Sequence, residues 1–103
     1  MQEFYKHISL KEAKELAEKN KGNQDFVILD VRTPEELQDG TIGNPVNIDL
    51  YDPEFADKIG KLDKDKTYLV YCRSGSRSKA ACGAMQHFGF KKIYEADRGI
   101  MGN

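Results

Sequence analysis

The segment "TYLVYCRSGSRSKAACGAM", residues 67–85, decides the fold because its character changes twice within one short stretch. Residues 67–72, "TYLVYC", form an apolar run of β-branched and aromatic residues, which is typical of a buried strand. A loop of small and basic residues follows Cys72, and the alanine-rich residues 78–89 predict a helix with one apolar face. The segment therefore predicts a strand, a loop and a helix, with a thiol at the carboxyl end of the strand.

The rest of the chain continues this alternation of strands and helices. Residues 26–31, "FVILDV", predict a second strand buried on both faces, and Ser9 and Glu12 form a capping box that begins a helix. Further short helices are predicted in "TPEELQDG" and "DPEFADKIG", and further strands in "EFYKHI", "NPVNI" and "KKIYEA", the last as an edge strand. We predict an α/β fold: a small, open, mostly parallel sheet with helices on both faces, and residues 1–103 as a single domain.

Composition and charge narrow the classes of function. Sixteen basic and seventeen acidic residues give a formal net charge of -1, so no global field attracts nucleic acid or an anionic membrane. No apolar window reaches the roughly 18 residues of a membrane span, and the amino terminus lacks a signal-peptide core, so a cytoplasmic location is predicted. Two cysteines and two distant histidines predict no structural disulfide, no metal site and no cofactor.

The loop after Cys72 is predicted to bind anions around the sulfur. Its small residues allow consecutive N–H groups to point inward, and the start of the following helix adds partial positive charge. These donors should stabilise the thiolate and make Cys72 a nucleophile, while the two arginines select anionic partners. The predicted substrate-binding residues are Arg73, Ser74, Gly75, Ser76, Arg77 and Ser78.

Three segments in order, "ILDVRTPEEL", "GTIGNPVNI" and "VYCRSGSRSKAA", resemble the rhodanese-like sulfurtransferase family. The resemblance implies that Cys72 accepts a sulfane sulfur as a persulfide and passes it on in a two-step reaction. It implies a small anionic donor such as thiosulfate, an acceptor that is cyanide, a thiol or a persulfide-accepting partner protein, and no cofactor. Asp30 and Arg32 match the family's D-V-R motif and are expected to support the site rather than react.

Alternative functions use the same thiol. A cysteine-dependent phosphatase or arsenate reductase places five residues between its cysteine and its phosphate-binding arginine, but that position holds Ser78, and Arg77 comes one residue too early. A non-enzymatic sulfur-carrier or binding module in a protein relay fits the same residues as an enzyme does. Redox sensing through Cys72 would need Cys82 as the resolving thiol, which the predicted helix makes difficult to reach.

Overall fold

The computed structural model describes residues 4–101, in which strands and helices alternate along the chain. The strands are β1 (Phe4–Ile8), β2 (Phe26–Asp30), β3 (Val46–Asn47), β4 (Thr67–Tyr71) and β5 (Lys92–Ala96). The α-helices are α1 (Leu10–Lys19), α2 (Phe55–Gly60) and α3 (Ser76–His87), and two 3₁₀-helices are η1 (Pro34–Asp39) and η2 (Gly99–Met101). Within residues 4–101, no helix has both the length and the apolar character needed to cross a membrane.

The strands form one sheet in the order β1-β5-β4-β2-β3, and every strand pair in the described chain is parallel. Strand β4 lies at the centre, where Leu69 is paired with Ile28 of β2 and with Tyr94 of β5. Parallel neighbours need crossover connections, and the helices between successive strands provide them. The predicted fold class, an α/β domain with an open parallel sheet, is confirmed.

Both faces of β4 are buried, as its apolar sequence predicts. Tyr68, Val70 and the following Cys72 belong to the core that also contains residues of α2 and α3. Leu69 and Tyr71 belong to a second core on the opposite face, together with residues of α1. Helices therefore cover both faces of the sheet, and the carboxyl end of β4 lies between the two layers.

The prediction of an edge strand for "KKIYEA" is wrong. Strand β5 lies inside the sheet between β1 and β4, and Ile93, Glu95 and Ala96 are fully buried. The lysines and the glutamate suggested solvent exposure, but only the first residue, Lys92, is exposed, and the Glu95 carboxylate is enclosed. Helix α3 also begins at Ser76, two residues before the predicted start, so its first turn includes part of the loop.

The interior position of β5 can be tested at Ile93, whose side chain is fully buried. Ile93→Ala should lower the free energy of unfolding by about 2–5 kcal/mol, because it removes buried methyl groups and leaves a cavity. The matched variant Ile93→Val should cost about 0.5–1.5 kcal/mol. Urea denaturation of the three proteins measures both values. A cost for Ile93→Ala as small as that of Ile93→Val would contradict tight packing of this strand.

Candidate active site

Cys72 follows the last residue of β4, and its sulfur accepts hydrogen bonds from the loop and from helix α3. The backbone N–H of Gly75 donates to Cys72 Sγ at 3.0 Å, and that of Ser78 donates at 3.3 Å. Gly75 adopts a φ of 107°, which turns the loop back toward the sulfur just before α3 begins. Donated hydrogen bonds and the positive end of a helix both favour negative charge on the sulfur. The arrangement suits a cysteine that reacts as a nucleophile.

The loop packs against the segment that follows β5 with no room for side chains at two glycines. A Cβ on Gly75 would lie 2.2 Å from the carbonyl oxygen of Asp97, and one on Gly99, where φ is 63°, would lie 2.4 Å from that of Cys72. The N–H groups of Ile100 and Met101 donate to the carbonyl oxygens of Cys72 and Arg73 at 2.9 and 3.0 Å. The segment 97–101 therefore holds the loop closed.

This closure buries the sulfur of Cys72. The Cys72 side chain has 0% of its surface exposed, although Arg73, Ser74 and Ser76 on the same loop are exposed. A molecule from solvent can therefore reach the sulfur only when the loop or the segment 97–101 moves. The three exposed side chains lie at the rim that such a molecule meets first.

The Arg77 side chain pairs with Glu36 rather than with the sulfur. Arg77 Nη1 and Nη2 donate to the two carboxylate oxygens of Glu36 at 2.6 and 2.9 Å, and the guanidinium lies 5.8 Å from the Tyr51 ring centre. This bidentate contact lowers the pKa of Glu36 to about 2 and raises that of Arg77. The pair joins helix α3 to helix η1, so Arg77 contributes positive charge near the loop and also fixes the position of the loop.

Asp30 and Arg32 form a buried ion pair beside the site. Arg32 Nη2 donates to Asp30 Oδ2 at 2.7 Å and to the carbonyl oxygen of Gly40, also at 2.7 Å. The Asp30 carboxylate raises the pKa of Arg32, while Asn47 donates to the carbonyl oxygens of both residues. The structure thus places this pair between the ends of β2 and β3 and the turn at residue 40, with no direct hydrogen bond to Cys72 among the contacts of the described chain.

Glu95, Ser78 and Tyr5 form a buried polar cluster that the sequence did not predict. Ser78 Oγ donates to Glu95 Oε2 at 3.1 Å, and the Tyr5 hydroxyl donates to Glu95 Oε1. Burial, with the nearby Glu95 charge, raises the pKa of both Tyr5 and Cys82. Cys82 is fully enclosed in the core. The signal available in the sequence was the alternation in "KIYEA", which puts Glu95 on the same face as Ile93.

A buried thiol in a donor-rich loop, at the carboxyl end of a parallel strand, is typical of α/β proteins with a cysteine site. The family model described as "Rhodanese-like domain" matches residues 9–102. The chain belongs to the rhodanese-like domain family, and the resemblance in the sequence is confirmed.

Individual relatives are consistent with this family. The chain is 38% identical over 78 residues to YtwF of Bacillus subtilis, a match that covers 76% of this chain and 74% of YtwF. It is 34% identical over 91 residues to the thiosulfate sulfurtransferase GlpE of Coxiella burnetii, covering 88% of this chain and 79% of GlpE. The crystal structure of a rhodanese-related protein from Thermoplasma volcanium has a TM-score of 0.68 and 29% identity, with 97% of this chain and 87% of that chain covered.

The close packing of the loop predicts a large effect of one methyl group. Gly99→Ala should lower the free energy of unfolding by about 2 kcal/mol or more, because the residue has a positive φ and its new Cβ would overlap the Cys72 carbonyl oxygen. The matched control is Gly83→Ala on helix α3, where a Cβ meets no atom within 4 Å. That change should stabilise the protein by about 0.5–1 kcal/mol. Equal thermal denaturation midpoints for both variants would contradict the contact.

The Glu36 and Arg77 pair predicts a specific dependence of stability on pH. Because the folded pKa of Glu36 is about 2, below its ordinary 4.5, the pair stabilises the fold above about pH 4.5 and loses that effect as the pH falls toward 2. Glu36→Gln should therefore cost up to about 1 kcal/mol at neutral pH, a small value because the pair is partly exposed. The cost should disappear near pH 2. Denaturant unfolding at several pH values measures it, and the exposed neighbour variant Glu35→Gln should lack this dependence.

Proposed function

We propose that the protein is a rhodanese-type sulfurtransferase that moves a sulfane sulfur from an anionic donor, such as thiosulfate, to a small nucleophile. The observation that carries the proposal is the contact of two backbone N–H groups, from Gly75 and Ser78, with Cys72 Sγ. The relatives support it, because one with 34% identity is named thiosulfate sulfurtransferase.

The reaction takes place in two displacement steps at one sulfur atom. The Cys72 thiolate attacks the outer sulfur of thiosulfate, the S–S bond of the donor breaks, and sulfite leaves with the electron pair. Cys72 then carries a persulfide. Cyanide or a thiolate attacks the terminal sulfur, and Cys72 leaves as a thiolate, which restores the starting enzyme. Each step transfers one neutral sulfur atom, and the leaving group keeps the electron pair of the broken bond. No outside oxidant or cofactor is therefore needed.

The residues of the loop divide these tasks. The N–H groups of Gly75 and Ser78 hold negative charge on sulfur, and Arg73 at the exposed rim attracts an anionic donor. Ser74 and Ser76 are exposed beside it and can donate to oxygen atoms of the donor. Asp30 and Arg32 would support the site through their buried ion pair, without contact to the reacting sulfur.

Transfer to a protein thiol is a second candidate for the acceptor step. Tyr51 and Met101 are exposed by 68% and 62%. Tyr51 lies beside Arg77, and the backbone N–H of Met101 donates to the carbonyl oxygen of Arg73, so both of these largely apolar side chains belong to residues that contact the loop. Exposed apolar side chains around a site favour contact with a protein surface.

We infer that the protein works in the reducing cytoplasm, where its free thiols would persist.

Thiosulfate labelling tests the proposal directly. Incubation of the purified protein with thiosulfate should increase its intact mass by one sulfur atom, and cyanide should remove that atom as thiocyanate. Cys72→Ser should gain no sulfur because the attacking atom is gone. The matched control Cys82→Ser should still gain it, because Cys72 and the N–H groups that contact its sulfur are unchanged. Hydrolysis of an aryl phosphate without any added sulfur would instead support a phosphatase.

A further inference from the structure

The buried thiol of Cys72 raises a question about its proton. Because the side chain is fully enclosed, water cannot accept this proton in the closed structure. One acceptor is in reach, since the thiol donates to Ser78 Oγ over 3.6 Å. Ser78 Oγ in turn lies 3.1 Å from Oε2 of Glu95. One side chain, that of Ser78, thus connects the sulfur to a fully buried carboxylate.

The hydroxyl of Ser78 carries one proton and has two oxygen acceptors, the carboxylate of Glu95 and the carbonyl oxygen of Gly75 at 3.0 Å. While Glu95 is a carboxylate, the Ser78 hydroxyl donates its proton to Glu95 or to the Gly75 carbonyl oxygen. The hydrogen bond between Cys72 Sγ and Ser78 Oγ then uses the proton of the thiol. When Glu95 is a carboxylic acid, it donates to Ser78 Oγ, and the hydroxyl is free to donate to a thiolate. Cys72 Sγ, Ser78 Oγ and Glu95 Oε2 can therefore hold either the thiol with the carboxylate or the thiolate with the carboxylic acid, and no side chain has to change its rotamer.

We propose that Glu95 is the internal proton acceptor of Cys72, and that the two groups share one proton through Ser78. The S–H bond of Cys72 breaks as its proton passes to Ser78 Oγ, and the Ser78 proton passes to Glu95 Oε2. The products are a thiolate, an unchanged hydroxyl and a carboxylic acid. The number of protons and the total charge stay constant, so one negative charge moves from the carboxylate to the sulfur.

The polar and titratable groups around Glu95 lie on strand β1, on helix α3 and in the segment after β5. Strand β1 contributes the Tyr5 hydroxyl, which donates to Oε1, and His7, whose Nδ1 lies 3.5 Å from Oε1. Helix α3 contributes Ser78 and Cys82. Beyond the end of β5, Asp97 Oδ1 lies 3.4 Å from the same His7 nitrogen. The His7 side chain is 46% exposed, so the cluster reaches solvent on the side away from Cys72.

The role of Glu95 in the reaction rests on the proposed function of Cys72 as the sulfur-carrying nucleophile. Glu95 is then a positioning residue, because it acts through Ser78 and touches neither donor nor acceptor. It provides a place for the thiol proton while the loop is closed. The closed site therefore holds the thiol and thiolate forms in a fixed ratio, and the charge of the Glu95 carboxylate keeps the thiolate the smaller part until a donor arrives.

Alkylation of Cys72 by iodoacetamide, followed from about pH 5 to about pH 10 by peptide mass spectrometry, tests the shared proton. The thiolate–acid and thiol–carboxylate forms hold the same number of protons, so their ratio does not change with pH. The wild-type rate should therefore show a flat shoulder below its main rise. Glu95→Gln should lose the shoulder and rise in a single step. It should also react about tenfold faster near neutral pH, because no carboxylate charge opposes the thiolate.

Two further variants keep the test decisive. Ser78→Ala removes the bridging hydroxyl and should lower the shoulder, and it also decides the matter if Glu95→Gln does not fold by circular dichroism. The control Glu15→Gln neutralises an exposed carboxylate on α1 and should reproduce the wild-type profile. Superimposable profiles for the wild type and Glu95→Gln, or an unchanged shoulder in Ser78→Ala, would overturn the proposal. Alkylation needs no sulfur donor, so this result is separate from the outcome of thiosulfate labelling.

Discussion

Closure of the loop around Cys72 depends on two places where backbone meets backbone without a side chain between them. Gly75 approaches Asp97, and Gly99 approaches the carbonyl group of Cys72 itself. Because these contacts bring the segment after β5 onto the loop, the N–H groups of Gly75 and Ser78 are held toward the sulfur. The site is therefore built mainly from main-chain geometry. The parallel sheet places the carboxyl ends of β4 and β5 side by side, and this sets the position of the loop relative to the segment after β5.

Most of the charged side chains near the loop are already neutralised by partners within the protein. Arg77 is bound by Glu36 and Arg32 by Asp30, so both guanidinium groups act chiefly as braces between elements. These guanidinium groups add positive charge near the loop without contacting the sulfur. The groups that contact the sulfur directly are neutral N–H donors. Arg73, exposed at the rim, then has a different task from Arg77, although the two lie close in sequence. Arg73 is an exposed cation at the rim, whereas the sulfur itself contacts fixed amide dipoles.

The sequence was informative where the signal is local. The apolar run ending at Cys72 and the small, basic loop after it were enough to predict a buried strand, a turn and a helix, and the sheet class followed from the alternation. Long-range pairing was not accessible in the same way. Glu36 lies 41 residues from Arg77, and no local pattern selects it from the other acidic residues. Glu95 was missed because a carboxylate in a short strand normally indicates solvent, and only the order of the strands shows that this strand is interior.

The complete enclosure of the Cys72 sulfur also affects its chemical lifetime. A thiolate in contact with solvent is readily converted by peroxide to sulfenic acid and then to irreversibly oxidised forms. In this protein every such encounter must wait for a local opening of the loop, so the rate of damage is the product of an opening equilibrium and a chemical step. The same factor multiplies the rate of any other reaction at this sulfur. A molecule that binds the rim and favours the open loop escapes that limit, whereas an oxidant that passes by without binding does not.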